Sequence, residues 1–260
     1  RILLGMRGEI AGPWRYDVYG SRYHTTLFQQ NLGYQSLARL ANAFDVVTGP
    51  NGQPVCRSGG NCVPYDIFSQ GGVTDEALAY LNSSGSQSGS TTQSIVQGSV
   101  TGDLTDYGVK SPWADEGVGV ALGGEYRRET LEFAADEASL SGDLSGFGGA
   151  SANIDRSLSV KEFFAELRAP LVQGRRFAQE LQLEAGYRYS DYSSDVSANT
   201  YKLGLQWAPV EGLRFRGSFQ RAIRAPNILD LYNPQSVTNT SDVSEDPCSG
   251  SAATPATATL

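Results

Sequence analysis

Between positions 180 and 189 every second side chain is apolar: Leu181, Leu183, Ala185, Tyr187 and Tyr189 alternate with Glu180, Gln182, Glu184, Gly186 and Arg188. A period of two belongs to a β-strand, whose successive side chains leave opposite faces, and a helix would mix the two sets. The same alternation sets Tyr201, Leu203, Leu205 and Trp207 against Lys202, Gly204, Gln206 and Ala208. It then sets Leu213, Phe215, Gly217 and Phe219 against Arg214, Arg216, Ser218 and Gln220. Upstream, Phe163, Ala165, Leu167 and Ala169 oppose Glu162, Phe164, Glu166 and Arg168, while Val118, Val120, Leu122 and Tyr126 oppose Gly119, Ala121, Glu125 and Arg127. With weaker segments near 1–11, 14–28 and 94–106, the patterning predicts about eight strands.

Several segments exceed the five or six residues usual in globular sheets and reach the roughly 9 to 11 that a tilted strand needs to cross a bilayer. The connections sort by parity: short at Gly12–Pro13, very long over 29–93, medium over 107–116, long over 137–156, short at Gly174–Arg175, polar over 191–198, short over 209–212, and long after Asn227. A sandwich has no reason to sort its loops this way, whereas a barrel with short periplasmic turns and longer external loops does. Leu181, Leu183, Leu203, Leu205, Phe215 and Phe219 are then expected to face lipid, and Glu184, Gln206, Arg214 and Arg216 the lumen. Trp14 and Trp207, beside short turns, suit an interfacial aromatic belt.

Composition closes other routes. The 260 residues carry a net charge of -8, which disfavours capture of nucleic acid or of an anionic membrane surface. The longest strictly apolar run is Ala77 to Leu81, far short of a membrane-spanning helix. Thirteen tyrosines suit strands that are wet on one face and apolar on the other. The chain opens at Arg1 and closes at Leu260 in a Ser/Thr/Ala-rich tail, so both ends read as cuts.

Within the long second connection, Leu37, Leu40, Ala41 and Phe44 fall at helical spacing, and Thr74 to Leu81 reads as a short helix capped by Thr74. Ser83 to Ser94 reads as a flexible linker, making the segment a structured cap on a soft tether. Cys56 and Cys62 enclose a glycine-containing loop and could form a disulfide, remain free thiols or join a metal site; His24 is the only histidine, which leaves zinc short of ligands. Cys248 would then pair beyond Leu260. Catalysis finds little support: there is no G-x-S-x-G elbow, and the carboxylates Glu162, Glu166, Glu180 and Glu184 read as a wet strand face before they read as a glycosidase pair. No cofactor is expected, nor an enzyme. Glu125, Arg127, Glu184, Arg188, Arg214 and Arg216 are the lumen-facing candidates, either a ligand-binding set or an ion-pair lattice.

The stretch from Leu213 to Tyr232 (Leu-Arg-Phe-Arg-Gly-Ser-Phe-Gln-Arg-Ala-Ile-Arg-Ala-Pro-Asn-Ile-Leu-Asp-Leu-Tyr) closely resembles the barrel signature of TonB-dependent outer-membrane receptors. Arg221, Arg224, Ala225, Pro226, Asn227, Leu231 and Tyr232 carry that signature. Gly124 to Arg127 with Glu129, Phe163 to Leu171, and Cys56 to Asp66 followed by Ile67 and Phe68 are similar to other parts of the family's large proteobacterial branch. The resemblance implies an all-β, antiparallel transmembrane barrel of 22 strands, of which residues 1–260 supply a part, with 29–93 as a long extracellular loop and the plug domain and C-terminal strands missing. It further implies a Gram-negative outer-membrane location, lipid around the wall, and a TonB-type energy coupler reached through the missing plug. The ligand would be a scarce nutrient such as a siderophore, oligosaccharide, peptide or cobalamin. A secreted or surface β-sandwich or adhesin that binds without transporting is the competing expectation.

Overall fold

The computed structural model describes residues 1–233. Eight long strands follow one another in the sheet in chain order: β1 (Ile2–Ala11), β2 (Trp14–Gln35), β5 (Asn82–Asp103), β6 (Gly119–Ala135), β7 (Ile154–Arg175), β8 (Ala178–Tyr192), β9 (Ser197–Val210) and β10 (Leu213–Arg221). The expected number of strands is met. Every pairing whose register is resolved is antiparallel, and β1 and β10 stand at the two ends of the strand order. Among the described residues no helix is long and apolar enough to cross a membrane.

The register converts the sequence pattern into two chemically distinct faces. Leu167, Ala185, Leu203 and Phe219 are Cα partners across β7, β8, β9 and β10, and the neighbouring rung is Arg168, Glu184, Gly204 and Ser218. Apolar and polar rungs alternate in this way along the strands. Cross-strand aromatic pairs reinforce the apolar face: Trp207 stacks on Phe215 at 5.6 Å and Tyr201 meets Phe219 at 6.2 Å. That face is not covered: Leu203 is 52%, Phe215 52% and Phe219 66% exposed.

Three of the four odd-numbered links are tight, with two-residue turns at Gly12–Pro13 and Glu211–Gly212, but the even-numbered β8–β9 link, 193–196, is also short, so the expected sorting by parity is met only in part. Gly12 (φ 56°) and Gly212 (φ 81°) take the left-handed backbone that such hairpins require. The β7–β8 turn lies at Arg176–Phe177, two residues beyond the expected Gly174–Arg175, because β7 continues to Arg175 and Phe177 takes the positive φ of 62°. The β5–β6 link, 104–118, is longer and carries a 3-10 turn at Thr105–Tyr107. It is held where Gln173 accepts from the backbone N–H groups of Asp115 and Glu116 at 2.8 and 3.0 Å.

Two expectations about the long second connection need correction. Strand β2 runs on to Gln35 and β5 begins at Asn82, so the irregular connection is 36–81 rather than 29–93. Ser83–Ser94 is not a flexible linker but part of β5. Its neighbours β2 and β6 pair its backbone, and a hydroxyl- and amide-rich strand needs no apolar alternation to stay in a ladder. The two expected helices do form: α1 (Leu37–Phe44), capped by Ser36, and α2 (Asp75–Leu81), capped by Thr74.

The chain divides into two units, one built on residues 1–27, 88–133 and 154–233, the other containing 28–87 and 134–153. The second has its own small core. Leu81 and Leu144 are fully buried with Ala43 and Ala77, and Leu144 from the 136–153 loop lies so close to Gly85 that a Cβ there would come within 2.5 Å. Asp143 holds α1 from outside, accepting at its backbone oxygen from Leu37 N and at Oδ1 from Ala38 N, both 2.8 Å. The hairpin β3 (Val46–Thr48) and β4 (Pro54–Cys56) leads into the Cys56–Cys62 disulfide, Cα atoms 6.0 Å apart. Of the three states left open by sequence, the paired one is found; Cys248 lies outside the described residues.

Asp136 ties the short helix α3 (Glu137–Ser141) to β5. It accepts from Ser139 N at 3.0 Å and from Ser86 N at 2.6 Å, and these bonds, Ser139's first, hold its carboxyl below the ordinary value of 3.8. A depressed folded value means that the carboxylate's contribution is complete above the unfolded value and is lost as pH falls through the folded one. Amide-exchange protection at Ser86 and Ser139 is therefore expected to hold from neutral pH down to the ordinary carboxyl range and to fall below it. In Asp136→Asn protection should be lower at pH 7 and flat with pH; an unchanged pH profile in the variant would contradict the assignment.

Candidate functional site: the charged strand face and the arginine–proline segment

The polar rungs of β6 to β10 carry a chain of ion pairs. Arg127 contacts Glu125 at 3.0 Å and Glu129 at 3.6 Å; Arg188 contacts Glu162 at 3.2 Å and lies 5.2 Å from the Phe164 ring; Lys202 contacts Glu184 at 3.1 Å; Arg214 contacts Glu180 at 2.8 Å. Glu184 also accepts from Gln182 at 3.0 Å and Gln206 at 2.6 Å, and Glu162 from Ser190 Oγ at 2.5 Å. Arg216 stands on the rung of Gln206 and Gln182. The side-chain amides and hydroxyls extend the network where the strands run short of opposite charges.

Within this unit the same face borders a concavity of about 1150 Å³, lined among others by Arg15, Asp103, Glu162, Glu166, Arg168, Glu184, Arg188 and Lys202. Four of the six residues singled out from sequence (Glu125, Arg127, Glu184, Arg188) join lattice pairs on the polar rungs of β6 and β8, and a fifth, Arg214, on β10. Their partners Glu162, Glu180, Glu129 and Lys202 were visible only as members of a polar stripe. Which carboxylate meets which cation depends on register between strands far apart in sequence, and no single strand reveals that.

The segment after β10 is built differently. Arg221 still pairs with Tyr201, but β9 continues beyond that rung to Ser197, opposite Asp191 of β8. Residues 222–227 leave the sheet and enter the one-turn helix α4 (Ile228–Tyr232). Pro226 precedes the cap Asn227, whose side chain accepts from Asp230 N at 2.8 Å while Asp230 accepts from Asn227 N at 3.0 Å, a reciprocal capping box. Arg224 donates to Asp230 at 2.8 Å, and α4 packs on β7 with Arg156 5.6 Å from the Tyr232 ring. The Arg-Ala-Pro-Asn stretch thus encodes a local fold: arginine and asparagine organise one aspartate, and proline fixes the approach to the helix.

Individually, exposed ion pairs stabilise little, typically 0 to about 1 kcal/mol. Glu162 is the exception on this face, its side chain only 5% exposed. Losing Arg188 would leave this carboxylate with no opposite charge and only Ser190 Oγ as a side-chain partner, so Arg188→Ala should destabilise by about 1.5–3 kcal/mol in denaturant unfolding. Arg214→Ala, which opens the more exposed pair with Glu180, should cost about 1 kcal/mol or less. Equal losses would mean that the Glu162 pair has no special standing.

Comparison with known proteins agrees with this architecture. The family model described as "TonB dependent receptor-like, beta-barrel" matches residues 6–256. No curated protein and no solved structure matches the chain. Sequential antiparallel strands, a charged concave face, an exposed apolar face and a family match over nearly the whole length converge: the chain belongs to the TonB-dependent receptor-like β-barrel family, a family of outer-membrane transport.

Proposed function

We propose that residues 1–260 form part of the barrel wall and external loops of a receptor that imports a scarce nutrient across the outer membrane of a Gram-negative cell. The observation that carries the reading is the opposition of the two faces: Leu203, Phe215 and Phe219 stand exposed on one, and an ion-pair lattice lines the concave other. An uncovered apolar face is stable against hydrocarbon, while a charged concave face suits a wet or protein-filled lumen. A β-sandwich would need a second layer over Leu203 and Phe219.

In this reading residues 1–260 belong to one partial barrel domain, and the connection now bounded by 36–81 is an extracellular loop. Links of odd parity face the periplasm. A plug domain outside this chain contacts the TonB-type coupler. The ligand is a siderophore, oligosaccharide, peptide or cobalamin, and the protein is a transporter, not an enzyme. The decisive experiment is uptake of radiolabelled members of these four classes by cells with and without the intact gene. Accumulation that needs the gene and collapses with a proton ionophore is expected; binding with no accumulation for any class would favour the adhesin.

Two substitutions test the faces. Leu203→Arg should cost about 2–4 kcal/mol in folding into lipid, whereas Gln206→Arg should be far milder. Equal costs would speak against a membrane wall.

The disulfide is a separate case. A ring this short removes unfolded-state entropy worth on the order of 2 kcal/mol, and its role is local shaping of the loop around Arg57, which meets Asp45 at 3.1 Å. Replacing Cys56 and Cys62 with serine is expected to leave heat-modifiable barrel migration near normal and to weaken ligand capture. Unchanged capture would remove the loop from the binding role.

A further inference from the structure

The inner face of the sheet changes character towards the start of β7. Below, its rungs are charged; above, Arg127 and Glu129 pair with Val160 and Leu158, and these two apolar side chains are only 3% and 7% exposed. An apolar patch on the polar side of a barrel wall must be covered by something. The helix α4 packs on β7 here, and its one buried side chain is Ile228, 5% exposed. A recess of about 150 Å³ between the two is bordered by Arg127, Leu158, Val160, Ala225, Pro226 and Asn227. The chain reaches this place by leaving the wall early, at the Arg221–Tyr201 rung, and crossing back over the polar faces of β9 and β8 towards β7.

We propose that residues 222–233 are a detachable strap inside the barrel, seated on the Leu158–Val160 patch by Ile228 and released to open the path for a ligand. The proposal rests on the lumen reading given above. A one-turn helix has no stability of its own in water, so the strap's position depends on its seat. That seat consists of one buried aliphatic anchor and the Arg156–Tyr232 contact, while Leu229 remains 52% exposed. The bonds that shape the strap are internal to it: Arg224 to Asp230, and the reciprocal bonds of Asn227 and Asp230. These three bonds do not cross to the wall, so none of them has to break for the segment to undock. A region with few buried contacts belongs to the low-stability end of a structure, where gating elements are found.

The test uses the full-length receptor in lipid, with Val160→Cys as reporter because the thiol lies beneath the strap, in a background where Cys248 and every cysteine outside residues 1–260 are replaced by serine. Its reaction with a water-soluble maleimide is expected to be slow but complete, at least about tenfold faster with Ile228→Asn, and unchanged with Ile228→Val. Heat-modifiable migration of each variant separates strap release from barrel collapse. No labelling of the parent short of denaturation would overturn detachment, and equal rates in the Asn and parent proteins would overturn Ile228 as the anchor. If instead a lipid-soluble maleimide outpaces the water-soluble one by a wide margin, this face lies against hydrocarbon and the lumen reading itself fails. Because labelling needs no ligand, its result is independent of whether uptake is found.

Discussion

A ladder of backbone hydrogen bonds with a side-chain period of two governs this molecule. Once β8 is registered so that Ala185 meets Leu167 and Leu203, Glu184 meets Arg168 and Gly204, and the further rungs follow as far as the β7 bulge between Pro170 and Val172. A slip of one residue would carry Glu184, Arg188 and Lys202 to the apolar face and Leu203 and Phe219 to the charged one. The ion pairs do not set this arrangement; exposed pairs are too weak. They are accommodated by it, and their value lies in making the correct register the one in which Glu162 and Glu184 are satisfied.

The fold was legible in the sequence wherever that period is expressed in apolar residues. From β6 onward, alternation located each strand to within a few residues and assigned its faces. It failed where strands carry no apolar face to announce them. Ser83–Ser94, made of Ser, Gly, Thr and Gln with Asn just before it, has the composition of a linker and yet is ladder, because its neighbours in the sheet order supply what its own side chains do not. The helices α1 and α2 were readable from Leu37, Leu40, Ala41 and Phe44 and from the Thr74 cap, both local signals. Their packing was not: Leu144 fills their core from a loop more than sixty residues away from Leu81. In the charged face, residue types were predictable and partners were not, for the same reason of long sequence separation.

Two parts of the chain depart from the repetitive wall, and each is organised by a carboxylate. In the unit containing 28–87 and 134–153, Asp136 and Asp143 take up backbone N–H groups that an irregular connection would otherwise leave unpaired. After β10, the Asp230 carboxylate accepts from the backbone N–H of the cap Asn227 and holds Arg224. The 221–232 segment is therefore a structural instruction: leave the sheet at Arg221, turn at Pro226 and bury Ile228 in the helix that packs on β7. Its residues act on one another more than on the charged face, which distinguishes them from the lattice residues Arg127, Glu184, Arg188 and Arg214.

The most direct test of the central claim is nitroxide scanning of β8 and β9 in the full-length receptor embedded in lipid, one label per residue from 180 to 189 and from 201 to 208. Collision with oxygen reports hydrocarbon, and collision with a water-soluble nickel complex reports an aqueous or polar lumen. A barrel wall requires the two to alternate out of phase with a period of two, oxygen highest at Leu181, Leu183, Leu203 and Leu205 and low at Gln182, Glu184, Lys202 and Gln206. Uniform exposure to the nickel complex on both faces, or oxygen maxima on the Glu184 face, would contradict a strand set whose apolar side meets the membrane.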